Sequence, residues 1–121
     1  MTSDSDIRSA RKTSPMIAIF VMGRALRSAE AGDYASALKD YLWCWDEGHH
    51  VDIMFGAVRV SFLKRYLSQI CEVYPDARIQ LGSRLTSLNV RLTNGDRSPE
   101  TIRDLNVLEQ ILSDVNDITT T

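Results

Sequence analysis

The chain has 121 residues, 44% of them hydrophobic and 25% charged, with a formal net charge of −2. That length suits one domain and a core that needs no metal or disulfide staples. Seven basic and eight acidic side chains fall in each of residues 1–60 and 61–121, so the basic footprint of a dedicated nucleic-acid binder is missing.

Residues 1–14 are mostly Ser, Thr, Asp and Arg with a single Ile. They offer too little apolar surface to offset ordering, which predicts a mobile tail. Arg8, Arg11 and Lys12 precede the apolar run Met16 to Met22, an arrangement with the outline of a signal peptide. Gly23-Arg24 follows at once without a small-residue cleavage site, and Asp4 and Asp6 lie upstream, so no export is expected. The run is also far shorter than the ~20 residues that span a bilayer.

Ser14-Pro15 reads as a helix cap followed by proline at the first helical position. From Pro15 to Ala31, Ile19, Met22, Leu26 and Ala29 fall on one helical face. Gly32-Asp33 ends this helix. The next is predicted from about Tyr34 to Glu47. Tyr34, Leu38, Tyr41 and Trp45 form its stripe, Ala37 and Cys44 flank it, and Gly48-His49-His50 closes it.

Asp52 is the expected cap of a third helix that Pro75 stops. Phe55, Val58, Phe62 and Tyr66 lie on one of its sides, and Val60, Leu63, Leu67, Ile70 and Tyr74 on another. A helix apolar on two sides is expected to be central. A fourth helix, about Asp76 to Thr93, carries Leu81, Leu85, Leu88 and Leu92. The turn Asn94-Gly95-Asp96 and a second cap-plus-proline start, Ser98-Pro99-Glu100, introduce a fifth with Leu105, Leu108, Leu112 and Val115. Thr119 to Thr121 are expected to fray. Gly23, Gly56 and Gly82 fall inside predicted helices, where close helix contact or a local break is the expected reason; Gly56 can also mark the true start of the third helix.

No run alternates like a strand, so the expected fold is all-α. It is one domain over residues 15–118, with about five antiparallel helices joined by short turns.

The run from Gly32 to Tyr41 resembles a tetratricopeptide repeat, a helix–turn–helix unit of about 34 residues with an alanine and, four positions on, an aromatic. Ala37 and Tyr41 have that spacing, Gly32-Asp33-Tyr34 stands at the inter-helix turn, Cys44 at a small-residue position and Ala25 at a Gly/Ala position. Val21 replaces the family's usual tryptophan and Arg24 its usual leucine. A second copy from Asp52 is faint. The resemblance implies a short α-solenoid of helical hairpins with a capping C-terminal helix. It also implies a protein–protein interaction module whose partner segment lies between the first helices of successive hairpins. Ile19, Met22, Leu26, Ile53 and Val60 then line that groove, and Arg27, Glu30 and Lys64 stand at its rim. So apolar a groove suits an apolar partner segment, a second copy of the chain, or cover by the chain's own tail or last helix.

Other constellations are weaker. Cys44, Asp46, His49, His50 and Asp52 cluster in sequence, but lack the paired spacing of a zinc site. No metal or other cofactor is expected. Trp43 falls near the edge of the core stripe and is a candidate hot spot. Arg78, Arg84 and Arg91 lie in a stretch, residues 77–95, with no acidic residue. Their face supports an alternative, nucleic-acid-associated role whose mark is steep salt dependence. The catalytic motifs of hydrolases, P-loop enzymes, zinc peptidases and dinucleotide enzymes are absent, so no enzyme is expected. Cys44 and Cys71 read as reduced thiols in a cytoplasmic protein, one disulfide being the alternative.

Overall fold

The computed structural model describes residues 16–120, with side chains through residue 113. The expected tail, the Ser14-Pro15 cap, Val115 and the end of the chain at Thr121 lie outside what is described. Among the described residues there is no strand. Among the described residues five helices follow one another: α1 (Ile17–Glu30), α2 (Tyr34–Val51), α3 (residues 55–73), α4 (Pro75–Thr93) and α5 (Pro99–Thr120). The fold is all-α, as the sequence predicts. No helix among the described residues is long and apolar enough to cross a membrane. The chain divides into two compact units, one through Tyr66 and one from Leu67.

The first unit is built on the α1–α2 hairpin. Its turn is set by Gly32, whose φ of 81° lies in the left-handed region that glycine reaches without a Cβ penalty. The Gly32 amide donates to the Ala29 carbonyl and the Asp33 amide to the Ser28 carbonyl, which closes the end of α1. Asp33 then caps α2 by accepting from the Ser36 amide at 3.2 Å, and the Ser36 hydroxyl foremost, with this amide, holds its carboxyl below the usual range.

The face of α1 that packs differs from the one its large residues suggest. Ala18, Val21 and Ala25 are buried, whereas Ile19, Met22, Leu26 and Ala29 are half-buried along one flank. Small side chains in the seam let the helix backbones approach closely and leave room for the bulk of α2. On α2, Ala37, Leu38, Tyr41, Cys44 and Trp45 are buried as expected.

Helix α2 runs through Gly48 to Val51 instead of ending at the glycine. Gly48 is a packing residue. A Cβ placed on it would meet two ring carbons of the fully buried Phe55 at 2.6 Å and the Ala18 Cβ at 3.5 Å. Gly56 and Gly82 have nothing within 4 Å of such a Cβ, and Gly23 only the Arg27 side chain. The close approach expected at those three therefore occurs at Gly48.

Asp52 does not cap α3. Its carboxylate accepts from the Met54 amide at 3.0 Å and its carbonyl from the Phe55 amide at 2.9 Å, making a turn before the helix begins. Helix α3 is α-helical over Phe55–Val58, widens to a π turn over Arg59–Leu63, and returns to α-helix over Lys64–Val73. The extra residue of a π turn rotates the rest of the helix about its axis. Phe55, Arg59, Leu63, Leu67, Ile70 and Cys71 are buried, while Phe62 is exposed. The expected second apolar side is thus not covered at Phe62, and a charged residue joins the buried row.

In the second unit α4 packs against α5. Pro75 sits at the start of α4, and Ala77, Leu81 and Leu88 are buried, with Leu85 and Leu92 half-buried. Opposite them α5 buries Thr101, Asp104, Val107, Leu108 and Ile111; the predicted Leu105 and Leu112 are half-buried. Asp96 ties the α4–α5 turn together. It accepts from Arg91 (2.9 Å), the Ser98 amide (3.1 Å) and the Thr101 hydroxyl (2.9 Å). Ser98 in turn accepts from the Thr101 amide and caps α5. These donors, the Ser98 amide foremost, pull the Asp96 carboxyl down to about 2.

Candidate partner-binding surface

Polar contacts in the first unit fix its interior before any surface is considered. Arg24 grips Asp40 with two parallel bonds, 2.8 and 2.9 Å, from α1 to α2. The bond to Asp40 raises the Arg24 pKa. At the other end of the hairpin, Cys44 Sγ donates to the Ala18 carbonyl at 3.6 Å. Tyr41 is buried, stacked on Tyr66 with 5.9 Å between ring centres, and burial pushes its hydroxyl up to about 12. Arg59 is buried in the π turn. Its Nε donates to the Trp45 carbonyl at 2.8 Å, and its guanidinium lies 3.7 Å from the centre of the Trp45 ring. The His49 and His50 rings sit side by side at the end of α2, 4.0 Å apart.

Against this interior, the residues expected to bind a partner fall in separate places. Ile19, Met22 and Leu26 share one half-buried flank of α1, and Arg27 and Glu30 lie farther along the same helix. Val60 and Lys64 are half-buried on α3, and Trp43 is half-buried on α2. Ile53 does not join a helix face: it stands in the turn before α3, 88% exposed.

Sequence reasoning passed over four other apolar residues of this unit. Met54 is 77% exposed, Met16 59%, Phe20 55% and Phe62 52%. The signal for Phe20 was present, since it lies on the side of α1 opposite Ala18. That for Phe62 was hidden by the π turn.

No protein-family model, no curated protein and no solved structure matches this chain. Its chemistry is therefore read from its own residues. Burial raises both thiols, Cys44 well above the ordinary range and Cys71 to about 11, which leaves neither as a ready nucleophile. The arginine face of α4 is partly spent: Arg91 is paired with Asp96, and Arg84 donates back to the Gln80 carbonyl at 3.1 Å.

Proposed function

We propose that this chain is a small protein–protein interaction module that receives an apolar partner segment on its first unit. The observation that carries the reading is the set of exposed large apolar residues there. Phe20, Ile53, Met54 and Phe62 accompany the half-buried Ile19, Met22, Leu26 and Val60. Covering exposed apolar side chains in such number removes apolar area from water, which favours a bound partner segment. Arg27, Glu30 and Lys64 supply both signs of charge for orienting a partner, which adds selectivity more than affinity. Trp43, half-buried on α2, has the character of an interface anchor.

The α1–α2 hairpin, which buries Val21 and Ala25 on one helix and Ala37, Tyr41 and Cys44 on the other, supports reading it as a degenerate tetratricopeptide-like unit. Two reduced, buried thiols suit a cytoplasmic module, and their raised pKa values suit a binding role rather than catalysis.

The test is titration of the full chain with a panel of amphipathic helical peptides, followed by fluorescence anisotropy at low and high salt. Binding in the micromolar range, insensitive to salt and weakened about ten-fold by Ile53→Asp or Met22→Glu, is the expected result. Binding that falls steeply with salt, or no binding by any panel member, overturns the proposal.

A further inference from the structure

The π turn of α3 stands between two apolar rows of the same helix. Counted at about 100° per residue, an unbroken α-helix brings Phe62 and Tyr66 back to within about 20° of Phe55 and leaves Leu63 about 80° away. The structure has the reverse: Leu63 is fully buried and Phe62 is 52% exposed. The two residues exchange places across the single extra residue that the turn over Arg59–Leu63 takes up. Ser61 holds the wide turn open. Its hydroxyl donates to the Ala57 carbonyl at 2.7 Å and reaches the Val58 carbonyl at 3.5 Å. In a regular α-helix the Ala57 carbonyl takes the Ser61 amide instead, so the hydroxyl bond favours the π form. Just past the turn the Lys64 amide reaches back only three residues, to the Ser61 carbonyl, where the wide spacing gives way to regular helix. Upstream the register is pinned, since Phe55 lies across Gly48 and Arg59 bonds to the Trp45 carbonyl.

We propose that α3 is a two-register element that gates the partner surface. In the π register Phe62 is offered outward. In the α register Phe62 and Tyr66 turn inward, Leu63 turns out, and that part of the surface closes. Both rows are apolar, so the exchange sets apolar against apolar. The α register is the minor state for two reasons: Tyr66 leaves its stack on Tyr41, and larger rings press where Leu63 lies. A partner that covers Phe62 binds the π register alone and so draws the helix into it. This gating rests on the reading of the first unit's apolar face as a partner surface.

NMR relaxation dispersion on the free full-length chain tests it, because helix register shifts fall in the microsecond-to-millisecond range. Exchange is expected at the amides from Arg59 to Tyr66. Ser61→Ala removes the hydroxyl bond and raises the minor population about five-fold. Deleting Ser61 leaves an unbroken helix with Leu63 inside and Phe62 outside, and the exchange disappears. Phe62→Glu, at an exposed site, also abolishes it, since a carboxylate does not turn inward; this arm does not depend on the deletion variant folding. A helical peptide that binds the chain quenches the exchange and binds the deletion variant at least as tightly. Because the exchange is read without a partner, its presence supports the register switch even where no peptide binds and the partner reading fails. No exchange over these residues in both the native chain and Ser61→Ala, or exchange that survives Phe62→Glu, overturns the inference.

Discussion

Replacing Gly48 with alanine tests the packing of the first unit most directly. In an open helix interior this change stabilises by about 1 kcal/mol, because alanine restricts the unfolded backbone and is the better helix former. Here the new methyl lands 2.6 Å from two ring carbons of Phe55 and 3.5 Å from the Ala18 Cβ. Phe55 is fully buried, so its ring has no solvent to swing into. Overpacking of this kind costs about 1–3 kcal/mol. Set against the helical gain, the net effect is a loss of up to about 2 kcal/mol. The melting temperature falls by roughly 4 °C for each kcal/mol lost. Gly56→Ala and Gly82→Ala, with open space at the Cβ, raise it instead. Urea and thermal unfolding followed by circular dichroism give both signs. Adding Phe55→Leu to Gly48→Ala recovers part of the loss, and a double-mutant cycle yields the coupling. If Gly48→Ala stabilises the chain as the other glycine replacements do, the close contact between α2 and α3 is wrong.

Asp96 governs an acid-sensitive contribution in the second unit. Its carboxyl drops from an ordinary value of 3.8 to about 2 on folding, so the stabilisation is complete above pH 4 and is lost as pH falls through about 2. Asp96→Asn removes that part of the pH dependence, visible as a shallower slope of melting temperature between pH 4 and 2. Arg59→Met removes the bond to the Trp45 carbonyl and the charge over its ring; it costs about 2–3 kcal/mol and shifts tryptophan emission on the folded chain. Rescue of stability by Arg59→Lys would contradict the stacked geometry. Cys44 and Cys71 are buried with raised pKa values, so a thiol reagent at pH 8 labels them only as fast as the chain opens. Rapid labelling of the native chain would contradict their burial.

Turn chemistry and periodicity made the helical content legible. Gly32-Asp33 and Asn94-Gly95-Asp96 are stop signals whose left-handed glycines appear in the structure, at φ values of 81° and 102°. The cap-and-proline start before α5 and the leucine row of α4 were also readable, because each depends on neighbours within one or two turns. Gly48 shows the limit. A glycine followed by two histidines has the local form of a helix end, and only the Phe55 ring lying across it shows Gly48 to be a packing residue inside a helix that continues.

The candidate surface was harder to read for the same reason. On α1 the largest residues, Ile19, Met22 and Leu26, drew the predicted stripe, yet the seam is made by Ala18, Val21 and Ala25. Hydrophobicity ranks side chains by their transfer from water, whereas a close helix crossing selects them by size, and that choice belongs to the opposing helix. The π turn has the same character. It rolls Arg59 under Trp45 and Phe62 out to solvent, a rotation fixed by packing along α3 and α2. The sequence alone determined that the chain is helical and where most turns fall, since those are contests between adjacent residues and water. Which face of each helix is covered, and so which apolar residues are left for a partner, was decided by contacts between residues far apart in the chain.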